Sequence, residues 1–228
     1  MELLNFSVAR ESIGPLLQGL EITIILTLIV ITLSILLAIP VALWRMSAVR
    51  WVRVPTTWYI EIMRTTPLVL QLIYIFYVLP GIGLRLDVFT AAIIGLSLHY
   101  IAVMSEVYRS GIQAIGRGQW DAANALGMTR RLAFRRIVLP QAFRIVTPAL
   151  GNYLISLFKD TSLTSVLTVQ ELMFTGQIIA ARNYQYFTIY TMVGILYFIV
   201  GYAAAVFVRR LEKRLSQGYS HKRKASHS

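Results

Sequence analysis

An all-α integral membrane protein with five transmembrane helices, N-terminus outside and C-terminus inside, is the fold class this sequence predicts. Three observations predict it. Hydrophobic residues make up 57% of the 228 and mean hydropathy is +0.64, so the polar sequence is too scarce to cover a soluble domain. Apolar runs recur with charge between them. Of the 22 Lys and Arg, 18 fall in residues 45–64, 106–144 and 209–228, with only 4 elsewhere. The positive-inside rule places those three segments in the cytoplasm, and a four-span arrangement would break the segregation.

The net charge of +12 sits between apolar runs, which argues against nucleic acid and for anionic headgroups and a cytoplasmic partner. The absence of cysteine excludes disulfides and thiolate metal sites, and the three histidines lack ligand spacing, so no metal is expected. The first twenty residues show no removable signal peptide, which leaves the first span as its own insertion signal.

Residues 22–44 carry no charge, enough to cross a core that needs about 20 helical residues. The first span is therefore set at about 17–44, with Pro40 kinking its exit rather than ending it. Arg45, Arg50 and Arg53 follow, with Trp51, Trp58 and Tyr59 as interfacial anchors. The second span is placed at about 58–80, with Pro67 near its start and Pro80-Gly81 at its exit. The third, about 88–110, contains His99.

The fourth apolar run, 145–158, is short, so that span is drawn at about 140–165 with Pro140 in its first turn. Lys159 and Asp160 then fall as an ion pair inside or at the edge of the bundle. A fifth span at about 185–210, belted by Tyr184, leaves a basic tail, 213–228, expected without regular structure.

The loop at about 111–139 is a polar island. Seven arginines lie between Arg109 and Arg144, yet Trp120, Ala122, Ala123, Ala125 and Leu126 are threaded among the charges. The spacing predicts a short surface helix with Asp121 near its N-terminus, a turn at Gly127, and Thr129 capping a second helix toward 137–140. Small side chains on such a helix suit insertion into another protein's groove. The arginines alone need only the charge rule.

The pattern Asp121-Ala122-Ala123, three residues, Gly127, nine residues, Ile137, one residue, Leu139-Pro140 resembles the EAA loop of permease subunits of binding-protein-dependent ABC importers. Asp121 stands where that family usually has Glu. Arg64-Thr65-Thr66-Pro67-Leu68-Val69, Glu106-Val107-Tyr108-Arg109-Ser110-Gly111-Ile112 and Lys159-Asp160-Thr161-Ser162-Leu163 are similar to signatures of its polar amino-acid branch, the permeases for histidine, glutamine, arginine or glutamate.

The resemblance implies a type I ABC importer permease with five spans in the bacterial cytoplasmic membrane. It also implies a second permease copy or a similar subunit, an ABC ATPase dimer, and an extracytoplasmic solute-binding protein. The solute would be a polar amino acid or another zwitterion, and an ectoine-like solute fits the same frame. No glycine is followed by lysine, so the chain lacks a P-loop. ATP and Mg belong on the partner, and this chain is expected to bind no cofactor and to catalyse no reaction.

Ionisable residues at membrane depth suggest a solute path through Lys159, Asp160, Thr161 and Ser162, with His99 as a further contact. Against this stand an aqueous loop or an interface ion pair for Lys159-Asp160, and interhelical bonding for His99. Glu106 and Arg109 read as a solvated or interfacial i,i+3 pair and Arg64 as a membrane-edge anchor. A gate or interface involving Arg64, Thr66, Pro67, Glu106 and Arg109 is the sharper alternative. Two other functions remain in play. One is a passive channel or ion-coupled carrier, although no internal repeat is evident. The other is an intramembrane enzyme, for which only His99 and the Lys159-Asp160 pair are available, and nothing in the spacing favours a Ser or Thr nucleophile beside Lys159 over hydroxyl packing.

Overall fold

A computed structural model describes residues 4–224, with side chains as far as 214. All regular structure in this range is helical. Helix α1, Phe6–Arg45, runs 40 residues and starts well ahead of the expected 17. Asn5 makes this possible by accepting from the Ser7 and Val8 amides at 3.2 and 3.3 Å. Ser12, Leu16 and Gly19 are then buried by packing, so the helix outruns its uncharged stretch. Pro40 stays inside the helix, which continues to Arg45.

The expected second span is broken. Helix α2, Arg50–Thr65, meets the segment Leu68–Ile82 at 111°. Pro67 drives the break, because a residue before proline is forced out of the helical region. Thr66 is accordingly extended, at φ −99° and ψ 144°. Helix α3, Leu68–Ile73, continues through a π turn at Tyr74–Val78 and a 3-10 turn at Leu79–Ile82. Gly83, at φ 91°, ends it.

Helix α4, Val88–Gln113, is central and packs on α1, α2 and α3. Asp87 caps it, accepting from the Thr90 amide at 3.0 Å, and this hydrogen bonding lowers the Asp87 carboxyl below its ordinary range. Leu26 and Val30 of α1, Leu72 of α3, Leu96 and Met104 of α4 and Leu157 farther on share one buried core.

Beyond α4 lie α5, Arg117–Ala125, and α6, Arg130–Ala133, which passes through a π turn at Phe134–Val138 into α7, Leu139–Asp160. Pro140 is thus the second residue of α7 but follows a helical run instead of opening one. The wide turn just before it accommodates its missing amide and ring. A 3-10 segment, Thr161–Leu167, leads to α8, Leu172–Asn183, a helix the apolar-run reading did not anticipate.

Gly19 is what lets α8 approach α1. A Cβ there would meet Thr175 Oγ1 at 2.7 Å and the Leu172 Cα at 3.0 Å. Helix α9, Tyr186–Lys224, absorbs most of the tail expected to lack regular structure, and 225–228 lie outside the described residues.

Among the described residues three helices are long and apolar enough to cross a membrane: α1, α4 and Tyr186–Arg214 of α9. The bent α2–α3 pair makes a fourth if counted as one span. Helix α7 carries Arg144, Lys159 and Asp160 and falls short of that standard.

Candidate functional site

The polar island folds as a hairpin on a small apolar base. Trp120 and Phe134 pack against buried Ile112, Ile115, Val138 and Ala142, which anchors α5 and the π turn to the ends of α4 and α7. Arg130 lies over the Trp120 ring at 5.9 Å, and Gln141 donates to Gln119 at 3.0 Å. Because residues three apart share a helix face, Ala123 is buried beneath Trp120's side of the helix.

Asp121, Ala122, Ala125 and Leu126 face out, with Leu126 78% exposed. The helix begins at Arg117, so Asp121 sits in its middle and not at its N-terminus. Its charge therefore does little for the dipole and is displayed to whatever approaches. Gly127 takes φ 70° and turns the chain, and Thr129 Oγ1 accepts from the Leu132 amide at 3.4 Å. Ile137 and Leu139 are half-buried beneath this hairpin, while Pro140 is exposed.

Glu106 is not a solvated partner of Arg109. Its side chain is 13% exposed and lies within 2.9 Å of Arg109 Nη2, 2.8 Å of Arg45 Nε and 3.8 Å of Arg64 Nη1. Arg45 also reaches Glu61 at 3.0 Å. One carboxylate thus ties the end of α1 and the end of α2 to α4. Arg64 belongs to this cluster as well as to the surface.

The break at Thr66-Pro67 has its own lock. Gln71 Nε2 donates to the Met63 carbonyl at 2.9 Å, the Thr66 carbonyl at 3.0 Å and Thr66 Oγ1 at 2.8 Å. Its Oε1 meets His99 Nδ1 at 3.3 Å. This contact joins α4 to α3.

Lys159 and Asp160 part company. Asp160 accepts from the Tyr100 hydroxyl at 2.6 Å and so joins α7 to α4. Exposed Lys159 opens with Ser162 and Tyr197 onto a cavity of about 360 Å³. Thr161 is fully buried and its hydroxyl donates back to Phe158 at 2.7 Å, so it presents no polar atom to a solute. Ser162 likewise donates to the Lys159 carbonyl at 2.7 Å but is only half-buried.

Several partners escaped the sequence reading. Gln71, Tyr100 and Arg45 sit in otherwise apolar or arginine-rich stretches with nothing in their spacing to pair them. Glu171 is fully buried, accepts from the Met173 and Phe174 amides at 2.9 and 2.8 Å and from the Tyr197 hydroxyl at 2.8 Å, and caps α8. A lone Glu after an uncharged stretch was the available signal.

A family model described as "Binding-protein-dependent transport system inner membrane component" matches residues 30–217. The L-cystine transport system permease protein TcyB of Bacillus subtilis (strain 168) is 39% identical over 93% of this chain and 92% of its own length. The arginine transport system permease protein ArtQ of the same organism is 33% identical over 93% and 97%. Among solved structures, an amino acid ABC transporter crystallised with histidines superposes at TM-score 0.88, with 32% identity over 92% of this chain and 99% of that one. The inward-facing MetNI methionine ABC transporter shares the fold at TM-score 0.70 and 18% identity over 87% and 96%. With the hairpin, the central α4 and full-length relatives in agreement, the chain belongs to the inner-membrane permease subunits of binding-protein-dependent transport systems.

Proposed function

We propose that the chain imports a polar amino acid or a similar zwitterion as one permease of a pair, powered by an ATPase dimer docked on the 121–127 segment. An extracytoplasmic binding protein delivers the solute, and the second permease is another copy or a similar subunit. The chain crosses the cytoplasmic membrane five times, α7 providing the fourth crossing, with the N-terminus outside and the basic segments inside.

The observation that carries this reading is the hairpin. Asp121 and Leu126 project from a helix held rigidly by Trp120, Ala123 and Phe134, so a push on α5 passes through the π turn into α7. At the far end of α7 stand Asp160 and Lys159, with charges suited to the ammonium and carboxylate of a zwitterion. Import needs no covalent chemistry from this chain. ATP and the loaded binding protein need only favour different arrangements of the helices. Full-length similarity to amino-acid permeases supports the solute class.

The test is co-purification from native membranes by a C-terminal tag, with the intact chain and with 121–127 deleted, after checking that both insert. An ATPase recovered with the intact chain alone is the expected result. Recovery with neither form, together with gradient-driven uptake in its absence, would establish an ion-coupled carrier instead.

A further inference from the structure

A groove of about 430 Å³ runs between α1, α2 and α4, lined by Pro40, Trp44, Pro55, Thr56, Tyr59 and Ile101 among others. Its hydroxyls are already used, which leaves the Trp44 indole N–H as its free side-chain donor. The Tyr59 hydroxyl donates inward to the Leu98 carbonyl at 2.6 Å, and Thr56 donates to the Val52 carbonyl at 2.8 Å. Pro40 and Pro55 have no amide to offer. Beyond that one indole N–H the groove presents carbon, which suits an acyl chain better than a polar solute.

Two arginines stand at the α1–α2 turn, outside the residues that line the groove. Arg53 lies one turn before Thr56, and its Nη1 reaches back to the Ser47 carbonyl at 3.5 Å, over the α1–α2 turn beside Trp44. Arg50 opens α2. Both are exposed, and among the described residues neither is paired with a carboxylate. Arg45 cannot serve here, being committed to Glu61 at 3.0 Å and Glu106 at 2.8 Å. No Asp or Glu occurs from 22 to 60, so nothing local offsets these charges. Trp51, 91% exposed, marks the interfacial level.

We infer that this groove is a binding site for an anionic phospholipid, one acyl chain lying between Trp44 and Tyr59 and the phosphate held by Arg50 and Arg53. The site rests on the membrane location alone and is independent of what the chain transports. Its role is to wedge α2 against α1 beside the Glu106 cluster.

The test uses the full chain, with Trp51, Trp58 and Trp120 changed to Phe so that Trp44 reports alone, in phosphatidylcholine bilayers. Bromine on the acyl chains quenches a tryptophan in contact. Brominated phosphatidylglycerol should reach half-maximal quenching at about tenfold lower mole fraction than brominated phosphatidylcholine. The R50Q/R53Q pair should abolish that preference while leaving quenching by phosphatidylcholine. Equal quenching by both lipids in the unaltered arginine background overturns the headgroup site. A Trp44 unquenched by either means that protein covers the groove, and overturns the acyl-chain site. Should the tryptophan variant fold poorly, native mass spectrometry of the otherwise unaltered chain decides. Retained phosphatidylglycerol that is lost with R50Q/R53Q supports the site, and indifference to headgroup overturns it.

Discussion

Glu106 shows how far one residue's surroundings can depart from its sequence neighbours. Arg109 is its i,i+3 partner, but Arg45 and Arg64 arrive from other helices, and the carboxylate is shielded at 13% exposure. Removing a shielded partner costs more than removing an exposed one, because the arginines left behind have lost their counter-charge. Glu106→Gln should lower stability by about 3 kcal/mol, read as an earlier thermal transition in detergent. Arg64→Gln, whose side chain is 45% exposed and 3.8 Å away, should change it by less than about 1 kcal/mol. Equal transitions for the two variants would mean that the cluster does not tie the helices.

Among elements, the α5 hairpin is the one whose backbone can be tested separately from its side chains. Gly127 adopts φ 70°, and a Cβ built there meets nothing within 4 Å. Any effect of substitution is therefore conformational and not steric. Asn tolerates this region whereas a β-branched residue does not. Gly127→Asn should keep ATPase co-purification near the level of the intact chain, and Gly127→Val should reduce it severalfold with insertion unchanged. Identical recovery from both would show that the turn does not matter to docking. The broken α2–α3 element makes the complementary point. Pro67 was visible in the sequence, but the Gln71 amide that closes over the Met63 and Thr66 carbonyls at the 111° bend had no partner legible in one dimension.

For the whole molecule, the orientation we propose rests on the 18-to-4 division of basic residues and is open to a direct test. The chain has no cysteine, so single cysteines report without background. Arg85→Cys, on the exposed connection before α4, should react with a membrane-impermeant thiol reagent in intact spheroplasts. Ala125→Cys, on the exposed hairpin, should react only after permeabilisation. The reverse pattern would invert the topology and remove the hairpin from any cytoplasmic ATPase.

The sequence by itself determined the membrane class, the segregation of charge and the hairpin with its Gly127 turn. These depend on composition and on residues within a few positions of each other, where periodicity and capping act. The tertiary structure alone decided that the start of α1 is tied to α9, that α8 docks on α1, and that Asp160 belongs to Tyr100 and not to Lys159. Each of those outcomes rests on a partner far along the chain: Thr188 accepts from the Asn5 amide at 3.1 Å, Thr23 accepts from the Leu172 amide at 3.1 Å, and Tyr100 lies 60 residues before Asp160. A buried polar group takes whichever partner the packing brings within reach, and linear spacing carries no record of that choice.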